Sequence, residues 1–342
     1  MREASGVPTL TSVDIREIDK DDEVLVHRHW EIGKLADAVR PYDFYPPWET
    51  AWKSYQFGRD DMELNLLGAF DGDLMVGAAR ADVPVLDNLH TAYTFVSVDP
   101  AYQRRGVGRM LDAATVDMAR SRGRRLVMTQ AFAPPESDSA GLLFARAMGY
   151  VSGLQDGMKV VDLFETEASW NALDASTLGH RDGYRIVLWR DHVPEDLVDD
   201  YCVLNEAFFN EAPIGEMEHE PEKWDAKRVQ EREERNAKTG RHDVSAGALA
   251  PDGTLVAMTE VMVNPAAPQR GFQSGTLVAR EHRGHRLGMA IKVANHRQLR
   301  EAWPDVRILV TGNADVNAPM NAVNEALGYR EIERCVEMQK DV

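Results

Sequence analysis

The segment Gln103-Arg-Arg-Gly106-Val-Gly108-Arg109 gathers residue types that hold a diphosphate. An apolar run that reads as a strand, Tyr93 to Val98, leads into it, and Met110, Leu111, Ala114 and Met118 follow at helical spacing. The first amides of a helix have no partner within it, and the helix dipole favours negative charge at that end. Gly106 and Gly108 let the backbone approach a phosphate and accept positive φ. Arg104, Arg105 and Arg109 add positive charge. The spacing fits neither a Walker loop, which ends in Gly-Lys-Ser/Thr, nor the dinucleotide GxGxxG fingerprint. A pyrophosphate with a long thin arm is the ligand such a turn suits.

A second turn of this kind lies 180 residues further on, where Arg283-Gly284-His285-Arg286-Leu287-Gly288 aligns with Gln103 to Gly108. Upstream, Asp71-Gly72-Asp73-Leu74 matches Asp252-Gly253-Thr254-Leu255. Downstream, Met148-Gly149-Tyr150 matches Leu327-Gly328-Tyr329. Three landmarks in one order at nearly one offset mean two copies of one module, not a short-period solenoid.

The elements that position the turns also repeat. Each copy opens with a strand, Val13 to Ile18 or Tyr184 to Trp189, and an amphipathic helical region, Asp21 to Val39 or Pro194 to Asn210. A stretch with Trp and charged residues follows. Two strands then meet at the Asp-Gly turn. Another strand enters the glycine-bearing turn, a helix leaves it, and a further strand comes next, Arg125 to Thr129 or Arg307 to Thr311. The last helix ends at Gly149 or Gly328, which suit a left-handed C-terminal position. Strands mixed with helices imply an α/β fold with helices on both sheet faces. The expected modules are residues 1–165 and 184–342, joined by a polar linker at 166–183.

Composition narrows the function. The 342 residues include 39 Lys and Arg against 56 Asp and Glu, a net charge of −17. That balance repels nucleic acid and anionic lipid and draws in cationic small molecules. Cys202 and Cys335 show no ligand spacing, so a disulfide framework or a metal site is not expected, and both read as small buried hydrophobes. No apolar run approaches the roughly 20 residues of a membrane span. Met1 to Thr11 lacks the regions of a signal peptide, and a cytoplasmic protein is expected.

The order strand, Gln/Arg-x-x-Gly-x-Gly/Ala, helix, strand, helix, Gly-aromatic resembles the GNAT superfamily of CoA-dependent N-acyltransferases. Two modules in one chain are similar in organisation to mycothiol synthase, a tandem member. The resemblance implies, for each module, a mixed, mostly antiparallel sheet flanked by helices. It also implies acetyl-CoA as acyl donor. Gln103 to Gly108 matches the family's pyrophosphate loop in full; in the second loop Arg286 replaces the middle glycine, and Gly284 lies in the same turn. The implied cofactor-binding residues in the first module are Val96, Ser97 and Val98 on the strand, then Gln103, Arg104, Arg105, Gly106, Val107, Gly108 and Arg109. In the second they are Thr276, Leu277 and Val278, then Arg283, Gly284, His285, Arg286, Leu287 and Gly288, with Asn317 at the family's CoA-contacting Asn. The family's thiolate-protonating Tyr is replaced by Asn324 in the second module and Ala145 in the first.

Glu260, on the strand after Asp252-Gly253, is the candidate base that accepts the amine proton, and the offset of the Asp-Gly turns pairs it with Ala79. Glu260 and Asn324 are thus the candidate catalytic residues, with Gln273, Asn313 and Asn317 placed to orient a substrate. His285 reads as a turn residue, and His90, Tyr93 and Asp82 as structural. The expectation is an N-acetyltransferase whose C-terminal half catalyses. The alternative is a catalytically inactive CoA-binding or regulatory protein. A nucleotide scaffold finds no purine- or ribose-specific motif. The carboxylate-rich stretch Asn210 to Glu222 lies where such folds border the acceptor pocket, which favours a cationic small-molecule amine such as a polyamine, an aminoglycoside-like antibiotic or an amino-sugar conjugate. Tyr42, Phe44, Tyr45, Trp48 and Trp52 read as packing residues. The expected protein is a monomer or homodimer, with no nucleic acid or membrane partner.

Overall fold

Both copies unfold into the same series of elements. The computed structural model describes residue 10 and residues 12–342 except residue 212, so the Met1 to Thr11 segment lies almost wholly outside the described residues. The first series is β1 (Val13–Ile18), α1 (Glu23–Asp37), α2 (Trp48–Gln56), β2 (Met62–Asp71), β3 (Leu74–Pro84), β4 (Thr91–Val98), α3 (Val107–Ser121), β5 (Leu126–Ala133), α4 (Ala140–Ala147) and β6 (Val151–Asp162). Then come α5 (Leu163–Thr166) and α6 (Trp170–Leu178). The second series is β7 (Arg185–Arg190), α7 (Val198–Glu211), α8 (Ala226–Thr239), β8 (His242–Leu249), β9 (Leu255–Val263), β10 (Arg270–Val278), α9 (Leu287–Ala302), β11 (Ile308–Ala314), α10 (Ala318–Ala326) and β12 (Arg330–Asp341).

The described chain forms two compact units. The first holds the residues up to Phe132 with Asp138–Gly153 and Val336–Val342; the second holds Ala133–Ser137 and Leu154–Cys335. Each is completed by a strand segment from the other half of the sequence. In the first unit the strands run β1-β2-β3-β4-β5, followed by the last residues of β12. One face packs Val107, Leu111 and Met118 of α3 on Leu67, Val76 and Ala79. The other packs Val26, Trp30 and Ile32 of α1 and Tyr55 of α2 on Leu66, Phe70 and Ala78. Asp22 caps α1 by accepting from the Leu25 amide at 3.0 Å.

In the second unit the strands run β7-β8-β9-β10-β11, then Leu154–Asp162 of β6 and the first part of β12. Leu287 and Ile291 of α9 pack on Ala246, Val256 and Ala257. Tyr201 and Leu204 of α7 and Val229 of α8 pack on Leu255 and Met258. Residues 166–183, expected as a linker, carry α6, whose Trp170 is 2% exposed in this unit's core against the His296 ring, 5.5 Å between centroids. A single Trp with Leu173 supplies enough apolar area to dock an otherwise polar segment.

In both units two strands part company. Strand β4 pairs in parallel with β5 only from Thr91 to Tyr93, against Leu126 to Met128. Strand β10 pairs with β11 only from Arg270 to Phe272, against Ile308 to Val310. Beyond these short ladders the C-terminal halves of β4 and β10 diverge from their neighbours and lead to the two glycine-bearing turns. Each wedge leaves backbone groups of one strand edge open to a thin extended ligand.

Candidate active site

The two turns have the same backbone. Each begins with a single 3₁₀ turn, Pro100–Tyr102 or Arg280–His282. The next side chain folds back to the strand end: Gln103 Nε2 donates to Val98 O at 3.2 Å, and Arg283 Nε donates to Val278 O at 3.1 Å. Two left-handed residues follow in each, Arg104 (φ 63°) and Gly106 (φ 88°) in one, Gly284 (φ 91°) and Arg286 (φ 53°) in the other. The glycine has changed places with the arginine, so each turn carries one strained residue and one relaxed one. Val107 and Leu287 are buried and fix the helix start. The first helical bonds run from Met110 to Gly106 and from Ala290 to Arg286, so the amides of Val107, Gly108 and Arg109, and of Leu287, Gly288 and Met289, precede them. Both turns therefore fit a pyrophosphate.

Their side chains differ. Arg104 and Arg109 are exposed. In the second turn, Arg286 Nη1 donates to Ser176 O at 3.0 Å and His285 Nδ1 lies 2.9 Å from His180 O, at the C-terminal end of α6. The second turn thus has Arg283, His285 and Arg286 all bound to carbonyls, and the first keeps two arginines facing solvent.

The strands of the wedges differ more. Strand β4 pairs with β3 without interruption from Val98↔Gly77 to Tyr93↔Asp82. Strand β10 pairs Val278↔Ala257 to Thr276↔Thr259, then resumes at Gln273↔Val261. Ser274 and Gly275 therefore oppose the single residue Glu260, a β-bulge at the wedge. A bulge takes backbone groups out of the ladder and re-aims them, which is how strands bend beside active sites. A Cβ at Gly275 would lie 3.3 Å from the Phe208 ring, a tight contact that glycine relieves. Thr276 of β10 bonds Thr259 at 2.8 Å, and Gln273 Nε2 donates to Thr259 Oγ1 at 3.1 Å and to Glu260 O at 2.7 Å. These contacts fix both flanks of the bulge.

Glu260 is not an open carboxylate. It is 7% exposed. Tyr201 OH donates to Oε1 at 2.8 Å, and Arg232 donates from Nη2 to Oε1 at 3.0 Å and from Nη1 to Oε2 at 3.3 Å. Burial raises its pKa, and the charge and hydrogen bonds of Arg232 with the Tyr201 bond outweigh that, holding the carboxyl below its usual range. Arg232 also reaches Asp243 at 3.4 Å, whose carboxyl is pushed up to about 6 by burial and by the negative Glu260. A carboxylate gripped by a guanidinium is a poor proton acceptor. Its expected role as base gives way to that of an anchor opposite the bulge. Its counterpart also changes. Counted from the paired strand ends, Gly77 with Val98 and Ala257 with Val278, Glu260 stands in the place of Arg80, not Ala79. Asp252-Gly253 stands one residue nearer to Ala257 than Asp71-Gly72 does to Gly77, which misleads an alignment made on Asp-Gly.

Asn324 is fully buried. Its Oδ1 accepts from Lys292 Nζ at 2.7 Å, and its Nδ2 donates to Asn313 Oδ1 at 2.5 Å. So enclosed, it does not present a proton donor to a leaving sulfur. Asn317 caps α10, accepting from the Met320 amide at 3.4 Å. Lys292, which the sequence reading passed over, is 1% exposed and lies over the Tyr329 ring at 5.0 Å. Among the described residues no carboxylate pairs with it, and burial brings its pKa down to about 7. Its signal in the sequence was a lone lysine within Ala290-Ile-Lys-Val-Ala294. Among the described residues no group of three or more His, Cys, Asp or Glu is placed to hold a metal ion, and no helix is long and apolar enough to cross a membrane.

Two parted strands, each leading to a left-handed turn and a helix N-terminus, define the GNAT acetyltransferase fold, present here twice in one mixed α/β chain. Residues 30–150 match the Acetyltransferase (GNAT) family. Across the whole chain the protein is similar to a tandem GNAT protein from the clavulanic acid biosynthesis pathway, whose structure was determined without acetyl-CoA. That likeness has a TM-score of 0.80 and 26% identity and covers 96% of this chain and 98% of the other. A GCN5-related N-acetyltransferase from Sphaerobacter thermophilus shares the fold, with a TM-score of 0.65, 15% identity and 97% of each chain covered. So does an acetyltransferase-like protein from Pyrococcus horikoshii, at TM-score 0.58 and 15% identity over 100% of this chain and 94% of that one. No curated protein sequence matches the chain.

Proposed function

We propose that the protein moves an acetyl group from acetyl-CoA to a primary amine of a small molecule, and that the second unit carries the reaction. The bulge at Ser274 and Gly275 supports this choice, because β4 has no such irregularity. Backbone amides released there suit a developing oxyanion, a contribution of about 3 kcal/mol where such donors have been removed. Acetyl-CoA would supply the activated thioester. Gly284 to Gly288 with the first amides of α9 would hold its pyrophosphate, and Thr276, Leu277 and Val278 would run beside its arm. The first turn, Gln103 to Arg109 with Val96, Ser97 and Val98, would hold a second coenzyme. Alignment of two bound reactants supplies much of the rate, so a dedicated acid is not required. Exposed Glu216, Glu218 and Glu220 favour a cationic amine.

The second reading, a coenzyme-binding protein without turnover, is favoured by Arg286 and His285 being bonded to the carbonyls of Ser176 in α6 and His180 just beyond it. Thiol release from acetyl-CoA with a polyamine, an aminoglycoside and an amino sugar separates the two. The expected result is release with at least one amine, reduced about 100-fold by deletion of Gly275 with the fold intact by circular dichroism. No release with any of them selects the second reading, and full activity in the deletion variant removes the bulge from the chemistry.

A further inference from the structure

With Glu260 held by Arg232 and Tyr201, the wedge of the second unit needs another group to take the proton of an amine. A carboxylate stands beside it on β6, a strand contributed by the first half of the sequence. Strand β6 runs antiparallel to β11 without interruption from Asp162↔Ile308 to Asp156↔Ala314. Residues opposite each other on such a ladder share a face, as do residues two apart on one strand. Asp156, Met158, Gly312 and Ala314 therefore share one face. The other face carries Lys159 and Asn313, which bond Asn321 and Asn324 of α10. Asp156 thus points away from α10, to the side of the sheet where Tyr201 and Phe208 of α7 lie.

Gly312 opens this place. The last rung between β10 and β11 is Phe272↔Val310, so two residues further on Gly312 comes level with Ser274 of the bulge. Gly312 has no side chain of its own to fill the ground there, and its neighbours on β6 border it. A Cβ at Gly312 would lie 3.1 Å from Met158 Sδ and 3.8 Å from Asp156 Oδ2. Gly312 and Asp156 are both half-buried, so solvent reaches them. The inner oxygen, Oδ1, is enclosed and has no hydrogen-bond partner; the outer oxygen, Oδ2, is not enclosed and has none among the described residues. A carboxylate left so short of donors suits an incoming cation that supplies them. Burial and the negative Asp315 raise its pKa, and Lys159, which bonds Asn321 on the other face, offsets part of this. Glu331 of β12 adds negative charge, with Oε2 2.8 Å from the Cβ position of the neighbouring Gly157.

We infer that Asp156 is the base of the second unit: its Oδ2 receives the ammonium of the acceptor and takes a proton from it. The role rests on the reading that the second unit transfers acetyl groups. The ammonium passes one proton to Oδ2, and the electron pair so freed forms the C–N bond to the acetyl carbon. The C–S bond breaks with its pair on sulfur. The second nitrogen proton reaches that sulfur through water, and Asp156 returns its own proton to solvent. A raised carboxyl pKa lies closer to neutrality, which suits a group that must accept and release a proton in each turnover.

The test is thiol release from acetyl-CoA by the full chain with spermidine, kanamycin and glucosamine, followed from about pH 6 to 9. With Asp156 in place the ammonium form reacts, and the rate is level once Asp156 is ionised. Asp156→Asn can use only amine that is already neutral. Its rate at pH 7 falls by more than about 100-fold and climbs about tenfold per pH unit up to the pKa of the amine itself. Asp156→Glu restores the rate to within about tenfold and the level profile with it. The thermal midpoint of Asp156→Asn is no lower than that of the wild type, because the change removes a carboxylate that faces Asp315. Release within about threefold of wild type in Asp156→Asn overturns the inference and leaves acetyl transfer standing. So does a loss whose pH profile stays parallel to that of the wild type, which marks a structural role. Absence of release by the wild type with all three amines overturns acetyl transfer and the inference together.

Discussion

The two units are copies in the order of their elements and opposites in charge at matched positions. Where the first has Arg80 on β3, the second has Glu260 on β9; where the first has Asp112 on α3, the second has Lys292 on α9. Each charge has recruited different neighbours. Arg80 leans on Asp82, and Glu260 on Arg232 and Tyr201. Asp112 takes Lys340 at 3.0 Å and the Tyr150 hydroxyl at 2.9 Å, whereas Lys292, with no carboxylate partner among the described residues, takes the neutral amide of Asn324 and the Tyr329 ring. A duplicated fold therefore constrains shape strongly and the sign of buried charge weakly, provided the partners change as well.

Lys340 and Lys292 give the largest contrast. Lys340→Met leaves Asp112 without its cation, and unfolding free energy should fall by about 3 kcal/mol. Lys292→Met should do the reverse. A lysine with a depressed folded pKa binds a proton in the unfolded chain and not in the folded one between about pH 7 and the ordinary lysine value near 10.4, so it destabilises the fold at neutral pH. Wild-type stability should climb relative to Lys292→Met as pH rises through that window. At pH 7 the variant should be more stable by on the order of 4 kcal/mol, before packing losses. Urea unfolding at pH 7 and 9 checks both. Parallel pH curves for the two proteins would mean that Lys292 is charged in the fold.

Glu260→Gln should come next, at about 3 kcal/mol, because it strips the buried Arg232 of its main partner. The rate of acetyl transfer should fall less than about tenfold, as an anchor's loss implies. A loss above about 100-fold with the thermal midpoint preserved would restore the base.

The smallest effect concerns the exchanged glycines. Gly284→Arg places two non-glycine residues in left-handed conformation within one turn and should cost about 1 kcal/mol, read as a lower thermal midpoint. An unchanged midpoint would show that the turn is relaxed without glycine.

The repeat, both loops and the order of elements were legible in the sequence because glycines and apolar periodicity carry them. The bulge was not. Gly77 and Val98 are as far apart in sequence as Ala257 and Val278, since β9 ends one residue sooner after its paired end than β3 does and so offsets the extra residue of β10. The environment of Glu260 was hidden for another reason. Its partners Tyr201 and Arg232 come from α7 and α8, and only the folded chain brings them to β9. The environment of Asn324 was hidden in the same way, since its partner Lys292 lies 32 residues earlier on α9.

The assignment of chemistry to the second unit is tested most directly by a matched pair, Gly108→Glu and Gly288→Glu, each placing a carboxylate at a helix N-terminus meant for phosphate. A Cβ meets the Phe144 ring at 3.2 Å at the first position and Val278 at 3.9 Å at the second, so thermal midpoints accompany the rates. Thiol release from acetyl-CoA should persist within about twofold in Gly108→Glu and fall more than about 100-fold in Gly288→Glu. Loss in Gly108→Glu with retention in Gly288→Glu would place the reaction in the first unit and contradict the account.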